Sequence, residues 1–575
     1  MFPTPQVRRA SLERRFPSWT PRTIAGALDD AAESYGDRDL FINEQGRFSY
    51  RDIQAWSRQL ASGLIEWGVA PGDHVAMIMA NHAEFVALKF AIARVGAVLI
   101  PVNFHLRGDE LIYVLDQSDA VMILAMERFR GHDYLADLDS NAPGWREGPC
   151  PALPKVRELF VLPAGDAPEG VRTVADLASL GSEASDRELA RREAEADPDS
   201  TCDILYTSGT TGRPKGVMLS HDMVLRAAYA SVYHRAFEDG RRIGHALPMY
   251  HVFGYVECLM AVLFVGGAIV SHLVFDPEAL LQSAEKERVS DIICLPNMTL
   301  KMLEIVRTRG FDSSHLVAVF NSGGVNPPGI WEDIRALLRP LELVTGYGMS
   351  ETTASTTCTL PEDDDSRLLD SNGRFKLAHV AGTQEAGGFT AIYKAVDPES
   401  CADLPAGVIG ELLVRGPIVT HGYYKKPAET AAAFTADGWL RTGDLGRVTG
   451  DGYLTLTGRI KESYRCGGEM VMPREIEALV ETHPLVAQAL AIGVPDMKMG
   501  EVGCLCIVAA EGARPDPDEI LALCAARLAR FKVPRHVLFF HPDEIPVTAT
   551  GRPQKVRLVD IVRERLAGAG AASLA

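Results

Sequence analysis

The run from Tyr206 to His221, YTSGTTGRPKGVMLSH, is the feature that most constrains what this chain can fold into. Its glycines leave backbone N–H groups free to approach an anion, and its hydroxyls and lysine add further donors. These residues are Thr207, Ser208, Gly209, Thr210, Thr211, Gly212, Lys215 and Gly216. CDILYT before them predicts a buried strand, and VMLSHDMVLRAAYASVYHRAF after them predicts a helix opened by a polar cap. The run therefore predicts a phosphate-binding loop at a strand-to-helix turn, with a plain surface turn as the alternative.

The same run resembles the signature of the adenylate-forming superfamily, which comprises acyl-CoA synthetases, peptide-synthetase adenylation domains and luciferases. It is not the pattern of the P-loop NTPases, because no Gly-Lys-Ser/Thr follows at the required spacing. Further motifs of the superfamily occur in order along nearly the whole chain. The resemblance implies two half-reactions: a carboxylate attacks the α-phosphate of ATP to give an acyl-adenylate, and a thiol then displaces AMP.

Composition narrows the class of partner. The net charge of −18 argues against a nucleic-acid partner, and an acidic enzyme that binds ATP or CoA must concentrate its cations locally. The ten cysteines show no CxxC and no zinc-ligand spacing, so we expect reduced, mostly buried thiols. The sequence has no signal-peptide segment and no uninterrupted apolar run of membrane-spanning length, which predicts a cytoplasmic protein with no membrane partner.

Strand and helix patterns predict an α/β fold. Apolar strands alternate with amphipathic helices before the loop, and strand, turn and helix recur after it. From about Val408 the chain becomes rich in strands and glycines, as in a small β-barrel, and from Glu462 an α+β pattern follows. Together with the resemblance, this predicts a large N-terminal part, residues 1–460, with two α/β sheet subdomains and a small β-barrel. A mobile C-terminal α+β lid, residues 461–575, would follow a hinge near Lys461.

Matching motif positions imply a nucleotide site. VTGYGMSETTAS matches the nucleotide and magnesium motif, which includes Gly348. Tyr347 would stack on adenine, Ser350 would donate to the α-phosphate, and Glu351 would hold Mg²⁺ if adenylation occurs. A surface carboxylate is the alternative for Glu351. Further residues match the segment beside adenine and the acyl pocket, namely Asn321, Ser322, Gly323 and Gly324. Asp444 would accept from the ribose hydroxyls with support from Arg459.

Acyl and CoA contacts follow from the same resemblance. His251 matches a gate beside the acyl and pantetheine channel, although a core histidine is the alternative. The other acyl-pocket candidates are Gly254, Tyr255, Val325 and Gly346. The small residues would leave room for a bulky apolar acid, or would serve the backbone instead. The loop predicted to line the pantetheine arm contains Arg465, Gly467, Gly468 and Glu469.

The main departure from the superfamily lies at Arg552. The superfamily's catalytic lysine follows Gly in a Thr/Ser-Gly-Lys turn, whereas PVTATGRPQKVRL places arginine there. Arginine keeps the charge but is longer, planar and forked. Losing one such contact typically costs about 10² to 10³ in rate, so adenylation is the half-reaction in doubt. Lys555 as a replacement, or Arg552 itself sufficing, are the competing interpretations.

These residues predict an acyl-CoA ligase that takes a preformed acyl-adenylate from a partner ligase and transfers it to CoA. The alternatives are a complete two-step acid–CoA ligase, a stand-alone adenylation enzyme that loads a carrier protein, and a non-catalytic adenylate-binding protein. The expected small molecules are a carboxylic acid or its adenylate, ATP or AMP, and CoA as co-substrate. A homodimer is the expected assembly.

Overall fold

The computed structural model describes residues 2–207, 213–324, 326–327, 329–467, 469–547 and 553–572. The chain divides into two compact units. The first contains Met1–Gly323, Glu332–Ile392 and Val414–Leu440, and the second contains Gly324–Trp331, Tyr393–Leu413 and Arg441–Ala575. The predicted boundary near Lys461 stays a prediction.

Two seven-stranded sheets organise the first unit, as the alternating pattern predicted. The first, sheet A, contains in spatial order Glu342–Val344, Ala318–Asn321, Asp291–Cys294, Arg242–His245, Ala268–Ser271, Asp39–Asn43 and Gly46–Ser49. The second, sheet B, contains Lys215–Ser220, Thr201–Thr207, Val98–Pro101, His74–Ile78, Ala120–Met126, Glu158–Leu162 and Arg172–Thr173. Most neighbouring strands are parallel. Each sheet also contains one antiparallel pair: Asp39–Asn43 with Gly46–Ser49 in sheet A, and Thr201–Thr207 with Lys215–Ser220 in sheet B.

Helices connect these strands along the chain. They span Pro5–Arg15, Ile24–Tyr35, Tyr50–Glu66, Ala83–Arg94, Gly108–Gln117, Tyr134–Asn141, Val174–Ser179, Glu183–Glu195, His221–His234, Pro277–Lys286, Pro296–Arg309, Ile330–Leu337, Asp365–Asp370 and Pro427–Ala433. The helix Ala83–Arg94 is buried on every side, since it lies between other helices and the sheet. The core on sheet B includes Ile78, Ile100, Leu115 and Ile123, all fully or nearly fully buried.

The glycine-rich loop does not lie at a strand-to-helix turn, so that prediction was wrong. Lys215–Ser220 is a strand paired antiparallel with Thr201–Thr207, and the helix begins only at His221. Ser220 caps this helix by accepting the N–H of Met223 at 3.2 Å. The apolar residues Val217 and Leu219 alternate along the strand, a period-2 pattern that the helical periodicity further on obscured.

Two further sheets follow sheet A along the chain. A three-stranded sheet contains Gly346–Met349, Ala354–Cys358 and Arg374–Phe375. The strand-rich stretch predicted as a small barrel forms a four-stranded sheet of Ile392–Val396, Gly410–Arg415, Leu440–Val448 and Leu454–Arg459.

The C-terminal residues have the predicted α+β pattern. A five-stranded sheet contains Glu469–Val471, Tyr464–Cys466, Gly500–Ala509, Val486–Asp496 and His536–Phe539. The helices Pro473–Val480, Pro517–Arg527 and Lys555–Ala572 accompany it. Its core includes Ile476, Ile492, Leu505 and Ile520.

All ten cysteines lie among the described residues and are free. Nine of them are buried and Cys401 is exposed, as expected for reduced thiols. Across the described ranges, the structure contains no helix whose length and apolar character would let it cross a membrane.

Candidate active site

The ends of the glycine-rich loop form the top of a hairpin. Thr207 and Lys215 are the last paired residues of the two strands, and the Thr207 hydroxyl donates to the Lys215 carbonyl at 3.5 Å. The loop between them includes the predicted phosphate-binding residues Ser208, Gly209, Thr210 and Thr211, which lie outside the described residues. The hairpin therefore holds Thr207 and Lys215 next to each other at the two ends of the loop.

Glu351 lies on a tight turn that is largely shielded from solvent. The 3₁₀ turn Ser350–Thr352 buries both Ser350, 7% exposed, and Glu351, 8% exposed. Thr353, directly after it, has φ +58°, a left-handed conformation that is strained for a β-branched residue by about 1–3 kcal/mol. Its hydroxyl donates to the Ile418 carbonyl at 2.7 Å, which holds the strained turn in place. Such stored strain is typical of positions that aim a functional group.

Tyr423 connects Glu351 with Lys215. Its hydroxyl donates to Oε1 of Glu351 at 3.0 Å, and the Lys215 ammonium lies 4.5 Å from the centre of its ring. Burial, and then the nearby Glu351 carboxylate, raise the pKa of Tyr423, so its hydroxyl stays protonated and donates. Sequence reasoning placed Tyr423 only in a strand-rich stretch and missed this role, because Glu351 and Tyr423 are far apart along the chain.

Backbone hydrogen bonds hold the Tyr423 segment against both neighbours. The Thr420 N–H donates to the Glu351 carbonyl at 2.8 Å, and the Tyr424 N–H donates to the Gly216 carbonyl at 2.8 Å. The Met218 N–H in turn donates to the Gly422 carbonyl at 3.2 Å. The segment thus joins the second strand of the loop hairpin to the Glu351 turn.

Tyr347 and Gly348 lie on the strand Gly346–Met349, whose partner strand approaches closely. A Cβ on Gly348 would lie 1.9 Å from the Ala354 carbonyl oxygen, and one on Gly346 would lie 2.4 Å from that of Thr357. Both glycines are therefore required by the antiparallel neighbour. Tyr347 is 8% exposed, and its N–H donates to the Thr357 hydroxyl at 3.2 Å, which fixes this strand.

The predicted segment at Asn321 comes together with this strand. The Ser322 hydroxyl donates to the Gly346 carbonyl at 2.6 Å, and Oδ1 of the fully buried Asn321 accepts from the Thr299 hydroxyl at 2.8 Å. Gly323, with φ +81°, faces an apolar neighbour: a Cβ there would lie 2.7 Å from a methyl of Leu295. Gly324 is exposed and begins a segment of the second unit, and Val325 lies outside the described residues.

His251 caps a short turn beside this region. Its Nδ1 accepts the N–H of Phe253 at 3.2 Å, which leaves the proton of a neutral ring on Nε2. Desolvation by the surrounding protein lowers the pKa of His251 to about 4, so the imidazole is neutral at pH 7. The ring of Phe253 lies 3.8 Å from where a Cβ of Gly323 would be.

The other two acyl-pocket candidates serve the interior of the first unit. A Cβ on Gly254 would lie 2.3 Å from the Pro248 carbonyl oxygen, so backbone packing requires glycine there. Tyr255 is 1% exposed, and its hydroxyl donates to Asp203 at 2.7 Å. Lys89 lies 4.3 Å from its ring centre and is also paired with Asp203, which makes Tyr255 part of a buried polar cluster.

In the second unit, Asp444 and Arg459 are cross-strand partners. Nε of Arg459 lies 2.9 Å from Oδ1 of Asp444, and Asp444 is 4% exposed. The arginine holds a nearly buried carboxylate in a fixed orientation. That geometry suits a bidentate acceptor for two neighbouring hydroxyls.

The predicted pantetheine loop is the turn of a tight hairpin. Arg465 pairs with Met470 and Cys466 with Glu469 across it, and Gly467 has φ +62°, which favours glycine. The Gly467 N–H donates to the Met499 carbonyl at 2.9 Å, and a Cβ there would lie 2.6 Å from the Met499 methyl. Exposed Arg465 forms an ion pair with Glu399. Gly468 lies outside the described residues, and Lys461 lies on an exposed turn after Arg459.

Lys555 is held by carboxylates at the start of the last helix. Its ammonium lies 2.5 Å from Oε1 of Glu477 and 3.4 Å from Oε2 of Glu462, and its side chain is 11% exposed. The same Glu477 oxygen accepts the N–H of Ala491 at 2.9 Å. Val547 and Pro553 form an isolated antiparallel bridge, and Arg552 lies outside the described residues.

The donor set in the first unit fits Mg²⁺ held largely by phosphate. Among the described residues, no three or more His, Cys, Asp or Glu side chains form a group able to hold a metal ion. Glu351 supplies one nearly buried carboxylate whose Oε1 is already oriented by Tyr423. Magnesium commonly takes one or two carboxylates and completes its octahedron with water and substrate phosphates.

Comparisons with known proteins show which family the chain resembles. A family model described as AMP-binding enzyme matches residues 28–424, and one described as AMP-binding enzyme C-terminal domain matches residues 475–552. The chain is 32% identical over 540 residues to the 3-[(3aS,4S,7aS)-7a-methyl-1,5-dioxo-octahydro-1H-inden-4-yl]propanoyl:CoA ligase of Mycobacterium tuberculosis, covering 94% of this chain and 99% of that one. It is 32% identical over 504 residues to a feruloyl-CoA synthase of an Amycolatopsis species, covering 88% and 92%. The crystal structure of ATP-bound MatB from Rhodopseudomonas palustris superposes with a TM-score of 0.80 at 26% identity, covering 93% and 98%.

Proposed function

This chain belongs to the AMP-binding enzyme family and is an acid–thiol ligase that acts through an acyl-adenylate, and we propose that it is specialised for the thioester-forming half of the reaction. The observation that carries the proposal is Arg552 in place of the lysine expected after Thr-Gly. Thiol attack on the acyl carbon breaks its bond to the AMP phosphate, the electron pair leaves on a phosphate oxygen, and the thiol proton goes to solvent. A partner ligase would supply the acyl-adenylate.

Lys555 is poorly placed to replace the missing lysine. Its ammonium already contacts Glu477 and Glu462, and Glu477 is only 3% exposed. Withdrawing Lys555 would leave a nearly buried carboxylate without its nearest cation, which costs about 1–3 kcal/mol. This supports a loss of about 10² to 10³ in the rate of adenylation when the lysine contact is absent.

The chain carries the residues that the resemblance assigns to nucleotide and adenylate binding. We assign Lys215 and Ser350 to the phosphate, Tyr347 to adenine with Gly348 beside it in the nucleotide motif, and Asp444 with Arg459 to the ribose. Glu351 would hold Mg²⁺, which when bound neutralises phosphate charge during adenylation. Tyr423 keeps the Glu351 carboxylate in one orientation. Because the sequence carries these residues, a complete two-step ligase in which Arg552 suffices is the second candidate.

Neutral His251 is proposed as a gate beside the acyl carbon. A pKa of about 4 makes it a weak base at pH 7, so its role would be steric and hydrogen-bonding rather than proton transfer. Movement of a lid about Lys461, between residues 1–460 and 461–575, would bring the Gly467 hairpin, with Arg465 and Glu469, to the pantetheine arm.

An apolar, bulky acid is the proposed acyl group. Phe253 and Leu295 next to Gly323 give that position an apolar surrounding, and Phe253 packs edge-on against Phe320 with ring centres 5.3 Å apart. The bicyclic propanoyl and feruloyl groups named for two relatives support the same class. The glycines at 254, 346 and 348 do not contribute to this argument, because their backbone neighbours already require them.

A paired assay tests the specialisation. Wild type and Arg552→Lys are each given free acid, ATP and CoA, or chemically prepared acyl-adenylate and CoA, and acyl-CoA is quantified. We expect wild type to form product from the adenylate and about 10² to 10³ less rapidly from free acid, and Arg552→Lys to restore the ATP-dependent route. Lys555→Met is the matched variant, which should not change the ratio of the two routes. Equal wild-type rates by both routes would establish an ordinary two-step ligase.

A further inference from the structure

A cavity lies in the first unit, away from the residues described above. It has a volume of about 480 Å³ and is lined by the segments that precede four parallel strands of sheet A. These segments include Arg242, Arg288, His315 and Arg339. Asn321 and the turn of His251 instead follow the carboxyl ends of strands in the same sheet. Because the strands are parallel, the cavity lies at their amino ends, whereas Asn321 and the His251 turn lie at their carboxyl ends.

Cations predominate around this cavity, although the chain as a whole is acidic. In the part of the chain that the structure describes, no carboxylate lies within ion-pair distance of Arg288, His315 or Arg339. Arg242 is paired with Asp39 at 2.6 Å. The one lining carboxylate, Glu238, lies 3.4 Å from the buried Arg241 and 3.8 Å from the buried Arg8, so its charge is already compensated.

Asp312 is a further carboxylate near the cavity and is also engaged. Asp312 accepts the N–H of Ser314 at 3.0 Å. Hydrogen bonds from Ser314, followed by the charges of His315 and Arg288, lower the pKa of Asp312. It therefore offsets part of the local positive charge without forming an ion pair with either arginine.

Both unpaired arginines occupy backbone positions that suit glycine better. Arg288 and Arg339 have φ +54° and +52° and follow the C-terminal ends of the helices Pro277–Lys286 and Ile330–Leu337. A left-handed residue at this place is usually Gly or Asn, since other side chains are strained there. Two strained positions in one cavity thus carry long cationic side chains. Observed strain of this kind points to a functional requirement.

The remaining walls define the rest of the ligand. Ser313 adds a hydroxyl donor, whereas the Ser290 hydroxyl already donates to the Arg242 carbonyl at 3.4 Å. Phe2, Leu316 and Leu341 are apolar, and Leu341 is 63% exposed. Forked guanidinium groups match phosphate oxygens, and hydroxyls complete such a shell. The volume is within the range of small-molecule sites and exceeds what an inorganic ion needs.

We propose that this cavity binds a phosphate monoester that carries an aromatic or other apolar group, at a site separate from the ligase active site. Arg288 and Arg339 hold the phosphate, and Phe2 and Leu341 cover the apolar group. The proposal does not depend on which half-reaction the enzyme catalyses.

Glycine substitutions give a sharp test, because they remove the cation and relieve the backbone strain together. Binding of phenyl phosphate, inorganic phosphate and benzoate to the full chain is measured by isothermal titration calorimetry, alongside the melting temperature Tm. We expect wild type to bind phenyl phosphate more tightly than inorganic phosphate or benzoate. Arg288→Gly/Arg339→Gly should weaken phenyl phosphate binding at least tenfold while Tm without ligand stays equal or rises.

Arg130→Gly is the matched control. Arg130 is also an exposed arginine, with φ +50°, but does not line the cavity, so its variant should keep wild-type affinity. Acyl-CoA formation from acyl-adenylate should be unchanged in all variants. No binding of phenyl phosphate by wild type, or equal affinity in the double variant, would overturn the proposal. Tighter binding of benzoate than of phenyl phosphate would overturn the assignment to phosphate.

Discussion

At the residue scale, Tyr423 is the side chain that connects Lys215, which follows the glycine-rich loop, with the proposed metal ligand Glu351. Its ring faces the Lys215 ammonium and its hydroxyl orients Glu351, so one residue contacts both charged groups. Cation–π contact contributes about 0.5–2 kcal/mol, and a hydrogen bond to a charged group about 1.5–3 kcal/mol. Tyr423 is a positioning residue, because it acts through these two groups.

Removing the Tyr423 hydroxyl tests its contact with Glu351 independently of its ring contact with Lys215. Tyr423→Phe keeps the ring below Lys215 and removes the bond to Glu351, so we expect MgATP affinity to fall about tenfold or more. Binding of ATP without Mg²⁺ should change less. Calorimetric titration with and without Mg²⁺ measures both values without requiring turnover.

Tyr424→Phe is the matched control for this experiment. Its hydroxyl donates to a different carboxylate, Asp119, at 2.7 Å, so the variant also loses a bond to a charged group but leaves Glu351 unchanged. Equal losses of MgATP affinity in the two variants would contradict a specific role for Tyr423.

At the element scale, the last helix begins with a cation at an unfavourable end. Lys555 is the first residue of Lys555–Ala572, where the helix dipole disfavours positive charge. Glu477, from the helix Pro473–Val480, and Glu462 offset this. The pairing attaches the last helix to the body of the second unit.

Truncating Lys555 therefore should destabilise this part of the chain. Lys555→Ala leaves the Glu477 carboxylate with Arg474 at 3.8 Å as its remaining cation, and we expect a loss of about 1–3 kcal/mol. Urea unfolding measures the free energy of unfolding, and hydrogen exchange of residues 473–480 and 555–566 measures the local stability of the two helices. Arg557→Ala, which removes an exposed cation from the same helix, should change stability by less than about 0.5 kcal/mol. If both variants unfold alike, the pairing contributes nothing measurable.

The strand after the glycine-rich loop shows a limit of predicting secondary structure from periodicity. Lys215–Ser220 forms a strand, yet its apolar residues run directly into a helical pattern after Ser220. Six residues are too few for periodicity to separate a strand from the start of a helix. The pairing with Thr201–Thr207, which decides the matter, is a tertiary contact.

At the scale of the whole molecule, buried histidines link stability to pH. Burial lowers the pKa of His221 to about 4, that of His245 to about 3 and that of His251 to about 4. In the unfolded chain a histidine titrates near 6.5. The unfolded state therefore binds more protons between these values, so the stability that each neutral ring contributes is fully present above pH 6.5 and is lost as pH falls toward 4.

His221 offers a direct measurement of this linkage. Its Nδ1 accepts the Ile24 N–H at 3.3 Å, an acceptor role that Asn can partly keep. We expect the free energy of unfolding of wild type to fall by about 3 kcal/mol more than that of His221→Asn between pH 6.5 and 4. Urea unfolding at several pH values tests this. His541→Asn, at a side chain that is 71% exposed, should follow the wild-type curve. Parallel curves for all three proteins would contradict the linkage.

The sequence by itself determined the family, the α/β class and the motif positions. Glycines, hydroxyls and charges at fixed short spacing, as in the run from Tyr206 and in VTGYGMSETTAS, are local chemistry that one segment carries without its neighbours. The arginine at position 552, where the superfamily has lysine, was likewise evident from the local sequence alone. The sequence did not show that the antiparallel neighbour requires Gly346 and Gly348. A glycine that enlarges a pocket and a glycine that avoids a clash with a neighbouring carbonyl look the same in sequence.

Only the tertiary structure decided which distant residues meet. Tyr423 bonds to Glu351 across 72 positions, Lys555 contacts Glu477, and Arg288 and Arg339 line one cavity from two different helix ends. Periodicity predicts which face of an element is buried but not which element covers it. These contacts depend on how whole elements pack, and packing is set by the sum of many side-chain contacts rather than by any one segment.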